Sequence, residues 1–105
     1  MEKVYEKLVR DNIPDIIKKS GKDCVIEIMD DVEYVEELNK KLAEEVDEYL
    51  SSGSIEEIAD IMEVIYSILE VKNISFEEVE KLRMEKREKR GGFNNRIKLV
   101  KVIEY

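Results

Sequence analysis

Apolar residues recur at helical spacing in two long stretches of the chain and more sparsely in a third. From about Val32 to Ser51 they form one stripe at 100° per residue, made of Val35, Leu38, Leu42, Val46 and Tyr49. Asp30 with Glu33 is a capping pair for this helix, and Gly53 marks its end. Ser54 opens the next helix, with Glu57 at the capping-box position, and ten of the fifteen residues from Ile55 to Leu69 are apolar. Such coverage predicts the most buried element of the fold. A second Ser-x-x-Glu box, Ser75 with Glu78, starts a third long helix that runs to about Arg90, with Phe76, Val79 and Leu82 as apolar contacts.

Shorter elements flank these three. Asp11 or Asn12 caps a short helix, Pro14 suits its first turn, and Gly21 ends it after Lys18 and Lys19. Cys24 to Met29 is rich in β-branched residues and too short for an independent helix, so it reads as a strand. The tail from Ile97 to Tyr105 alternates in part and could pair with residues 24–29 or dock on a partner chain. The expected fold is mainly α: a single domain over residues 1–105, a bundle of four helices with a small peripheral β element.

The polar residues inside the apolar arcs carry the chemistry. Glu45 projects between Leu38 and Leu42, and Glu48 lies at the edge of the same stripe. Glu44 and Asp47 point away. On the next helix Glu57 projects between Val64 and Ile68, with Asp60 at the border of the arc and Glu63 on the opposite border. Each pair, Glu45 with Glu48 and Glu57 with Asp60, is three residues apart and so shares one helical face. An ionised carboxylate in an apolar arc is costly without a partner. If the two helices pack side by side, four carboxylates converge on a site for a hard divalent cation, Mg²⁺ or Mn²⁺ rather than zinc or copper. Such a site could polarise a phosphoryl oxygen and activate water. In a chain with 26 acidic residues, acidic pairs at this spacing are also common on solvated surfaces. What singles these out is that each pair places a member inside an apolar arc.

Composition narrows the field further. Charged residues make up 42% and hydrophobic residues 43%, enough for a globular fold. The net charge of -8 argues against a general nucleic-acid surface, which works by neutralising phosphates. The chain has no histidine, which removes Ser-His and Cys-His pairs and histidine metal ligands. One cysteine, Cys24, makes no internal disulfide and fits a reducing compartment. No apolar run approaches the roughly 20 residues of a membrane-spanning helix, and the start lacks the apolar core of a signal peptide. The expectation is a cytoplasmic protein that engages neither membrane nor nucleic acid.

Glu44-Glu45-x-x-Glu48 followed by Glu57-x-x-Asp60 resembles the signature of the MazG-like, all-α nucleoside triphosphate pyrophosphatases. Lys7-Leu8-Val9-Arg10-Asp11-Asn12-Ile13-Pro14 and Lys86-Arg87-Glu88-Lys89-Arg90-Gly91-Gly92-Phe93 look like flanking motifs of small single-domain members, often labelled phosphoribosyl-ATP pyrophosphohydrolase-like. The resemblance covers about residues 5 to 95. It implies Mg²⁺-dependent hydrolysis between the α- and β-phosphates of a nucleotide, giving a monophosphate and pyrophosphate, with Mn²⁺ as a substitute ion. By the matched motif Glu45, Glu48, Glu57 and Asp60 would be the metal ligands, with Glu45 and Glu48 at the catalytic centre and Glu44 behind them. It also implies a homodimer or homotetramer. The turn between the acidic motifs is shorter than usual. Tyr66 is followed by Ser67, where the histidine-pathway enzyme carries a Tyr-His pair, which counts against that substrate.

Four basic residues are candidates for substrate phosphate. Lys41 projects beside Glu45 and Glu48, as an ion-pair partner or a phosphate ligand. Arg87 and Arg90, ahead of a Gly-Gly turn, could clamp phosphates as planar forks or simply end a solvated helix with favourable charge. Arg10 is a further candidate on the N-terminal side. The rival class is a non-catalytic helical interaction module whose carboxylates are surface charge.

Overall fold

The computed structural model describes residues 1–105 and contains four helices and no strand. They are α1 (Ile13–Lys19), α2 (Asp31–Ser52), α3 (Ile55–Val71) and α4 (Phe76–Arg90). The chain divides into two compact units, Met1–Asn73 and Ile74–Tyr105.

In the first unit α2 and α3 pack against each other as a helical hairpin. The ends of both helices follow from local chemistry. The Glu33 N–H donates to Asp30 Oδ1 at 2.8 Å, capping α2. At the other end Gly53 adopts φ 66°, a left-handed conformation that a side chain would oppose, and its N–H donates to the Tyr49 carbonyl. Ser54 then caps α3, so the reversal between the helices needs only Gly53 and Ser54. The α2 stripe is buried at Leu38, 2% exposed, while Val46 and Tyr49 further along it are each 36% exposed. Val64 answers Leu38 from α3 and is 7% exposed. The third buried residue is Glu45. α1 begins with Pro14 in its first turn and ends at Ser20, ahead of Gly21 at φ 89°.

In the second unit α4 is capped by Ser75, whose Oγ accepts from the Glu78 N–H at 3.2 Å and donates to Glu78 Oε1 at 3.3 Å. Gly91 follows the last turn, its N–H on the Arg87 carbonyl.

The expected β element is not formed in this structure. Cys24 to Met29 and the tail from Ile97 both lack strand structure. Their apolar side chains stand in solvent, Val25 at 98% and Ile28 at 91% exposed. Branched side chains favour extended backbone, but a strand exists only where a neighbour completes its ladder, and neither segment finds one. No helix is long and apolar enough to cross a membrane.

Candidate metal centre

The two-residue reversal at Gly53 sets the C-terminal half of α2 beside the first turns of α3. One carboxylate oxygen each from Glu45, Glu57 and Asp60 lie within 4.8 Å of one another. This acidic group could hold a metal ion. Glu45 is 7% exposed, and Glu57 and Asp60 are half-buried.

Two features separate this group from ordinary surface acids. First, Glu45 Oε2 and Glu57 Oε2 are both buried with no hydrogen-bond partner. An orphaned buried acceptor costs about 1–3 kcal/mol, more when charged, so the fold carries an unmet demand for a cation or donor here. Second, burial pushes the Glu45 carboxyl above its usual range. The adjacent Glu48 carboxylate adds to that rise, Lys41 opposes it, and Asp60 raises it further. Lys41 and Arg10 each offset part of the charge, but neither reaches the two orphaned oxygens.

The Glu57 side chain is free for this role because the expected capping box does not close through it. Ser54 Oγ accepts from the Glu56 N–H at 3.2 Å, while the Glu57 N–H meets the Ser54 carbonyl. Glu48 sits beside Glu45 but is exposed, and its oxygens are outside the 4.8 Å set. In the packed hairpin Glu57 and Asp60 meet Glu45 rather than Glu48, which lies about one turn further along α2.

Lys41 is an ion-pair partner, with its Nζ 3.6 Å from Glu45 Oε1 and 3.7 Å from Glu44 Oε1. Arg10 reaches back over 50 residues, and its Nη2 donates to Asp60 Oδ1 at 2.7 Å. Lys7 does the same for Glu44 at 3.3 Å. Neither contact was visible from helical periodicity. The only sequence hint was the Lys7-x-x-Arg10 spacing, which sets two cations on one stretch ahead of α1. Between that stretch and α2 lies a cleft of about 320 Å³, lined by Tyr5, Lys7, Lys40, Lys41 and Glu44 among others. Arg87 and Arg90 lie in the last turn of α4, in the second unit.

Compared with protein-family models, with curated proteins and with solved structures, the chain matches none.

Proposed function

We propose that the protein is a Mg²⁺-dependent nucleoside triphosphate pyrophosphohydrolase, cleaving the α–β phosphate bond to release a nucleoside monophosphate and pyrophosphate. The observation that carries this reading is the trio of buried Glu45 with half-buried Glu57 and Asp60, which holds two partnerless buried oxygens. Orphaned carboxylate oxygens in a histidine-free and cysteine-free setting are a hard donor set and suit Mg²⁺ or Mn²⁺. The ordered acidic motifs, which resemble those of the MazG-like pyrophosphatases, support the same chemistry.

In this reading Glu45, Glu57 and Asp60 hold the ion and Glu48 completes the set at the exposed rim. A bound divalent cation supplies Lewis acidity and charge neutralisation to a phosphate group. Glu48, exposed beside Glu45, would face the substrate and the attacking water. Lys41 steadies Glu45 while remaining within reach of an anion. A house-cleaning role on non-standard triphosphates fits an open site with few base-reading groups. The phosphoribosyl-ATP reaction is the second substrate to try.

We further propose that the working form is a homodimer or homotetramer. Ile58, Met62, Ile65 and Tyr66 stand 38–47% exposed on α3. A second copy of the chain would cover such a face, and the unpaired segments 24–29 and 97–105 would find ladder partners in the same assembly.

The test is pyrophosphate release from a panel of canonical, deoxy and damaged triphosphates and phosphoribosyl-ATP, with and without Mg²⁺. Metal-dependent release that Glu48→Gln abolishes is the expected result. Inertness toward every substrate would leave the interaction module as the better account.

A further inference from the structure

We infer that Arg10 is the resident counter-cation of the carboxylate cluster, and that a divalent ion displaces it from Asp60. Cation loading and docking of the N-terminal segment then exclude each other. The inference rests on the metal reading above.

The three cluster residues are not equivalent. Glu45 and Glu57 each keep a buried oxygen without a partner, whereas Asp60 Oδ1 accepts from Arg10 at 2.7 Å, the length of a charge-assisted bond. The fold has therefore satisfied one carboxylate of the trio with a cation from far away in sequence. Arg10 belongs to a stretch with little structure of its own. Residues 1–9 form neither helix nor strand, and the first backbone hydrogen bond runs from the Ile13 N–H to the Arg10 carbonyl. Two ion pairs, Lys7 with Glu44 and Arg10 with Asp60, tie this stretch to α2 and α3. Both are exposed pairs, and such pairs hold weakly.

Asp60 is the residue with two calls on it: its carboxylate belongs to the trio that would hold an ion, and it is also the acceptor for Arg10. A divalent cation bound by the trio would compete with the guanidinium for this one acid. The Arg10 side chain, 59% exposed, has a route to solvent. Lys41 escapes the same conflict because Glu44 already shares it. Once released, the Arg10 fork stands beside a site whose substrate is anionic, and its next partner is a phosphate oxygen. Arg10 thus has two roles in sequence: it neutralises Asp60 in the ion-free protein and turns to phosphate in the loaded one.

Mn²⁺ affinity measured by calorimetry on the full chain tests this, with wild type, Arg10→Ala, Lys7→Ala and Asp60→Asn compared. Removing the competitor tightens Mn²⁺ binding in Arg10→Ala by up to about five-fold, the range of an exposed ion pair. Lys7→Ala, which loosens the same stretch without touching Asp60, tightens binding less than Arg10→Ala does, and Asp60→Asn loses most of it. A second readout is the NMR signal of the Arg10 side-chain N–H, which should move from a bonded to a solvated position as Mg²⁺ is added. Weaker or unchanged Mn²⁺ binding in Arg10→Ala would overturn the inference and make Arg10 a positioning residue for Asp60, while leaving the metal centre standing. Absence of Mn²⁺ binding in the wild type would remove the metal reading itself, and this inference with it.

Discussion

Replacing Glu45 by Gln should reverse the order of stability depending on whether a divalent ion is present. In the ion-free protein Glu45 is a buried carboxylate with a partnerless Oε2, set against Glu48 and Asp60. The amide keeps the shape, removes the charge and offers an N–H to either neighbour. Lys41 is not stranded by the change, since Glu44 Oε1 lies 3.7 Å from its Nζ. Relief of one orphaned acceptor amounts to about 1–3 kcal/mol. Each kcal/mol moves the melting temperature of a domain of this size by about 4–8 °C. In EDTA, then, Glu45→Gln melts above wild type. With Mn²⁺ at about a thousand times its Kd, the wild type gains about 4.1 kcal/mol because the ion binds only the folded state, and the variant gains little. The two melting curves should cross over between the two buffers. Circular dichroism at 222 nm, at one fixed protein concentration so that assembly does not shift the midpoint, reads both. A variant that melts lower than wild type in EDTA, with the same Mn²⁺ shift in both proteins, would refute the claim that the cluster is a strained cation site.

The same residue gives a pH signature. Because the folded state raises the Glu45 carboxyl, it holds the proton over a window above the ordinary value of about 4.3. The stabilisation from this group is complete below that value and is lost as pH rises through the raised one, since the unfolded chain binds fewer protons there. Urea unfolding in EDTA from pH 4 to 8 should show the gap between Glu45→Gln and wild type widening with pH, whereas Mn²⁺ affinity of the wild type climbs as the proton leaves. A gap that narrows toward high pH contradicts the assignment. Leu38→Ala should cost about 2–5 kcal/mol, because Leu38 is the most buried side chain in a very small apolar core. Denaturant melts that show less than 1 kcal/mol of loss would mean that the hairpin seam is not where the stability resides.

The helices were legible because their ends are local. Asp30, Gly53, Ser54, Ser75 and Gly91 each act within a turn of themselves, and α2, α3 and α4 stop within two residues of where these residues place them. Glu45 and Glu57 were legible for a related reason: a charge inside an apolar arc is visible in projection before any packing is known. At 24–29 no strand is formed, because β propensity describes a willingness to extend and the deciding fact, an edge to pair with, lies elsewhere. Glu57 had two local roles open to it, and Ser54 settled the matter by taking the Glu56 N–H instead. Arg10 on Asp60 is the plainest case of what periodicity omits. Nothing within a helical turn of Arg10 announces a partner 50 residues away.

The hairpin between α2 and α3 has a consequence for how the site comes into being. All four proposed ligands fall between residues 45 and 60, and only the two-residue reversal at Gly53 and Ser54 separates their helices. Bringing them together requires closure of one very short loop, the least entropically demanding kind of tertiary contact. The acidic centre can therefore form early, from α2 and α3 alone, without waiting for α4 to fold. An ion captured at that moment would lock α2 against α3 and act as a nucleus for folding the remainder. For a chain whose own apolar seam is so thin, cation supply during synthesis would then help to set the yield of folded protein.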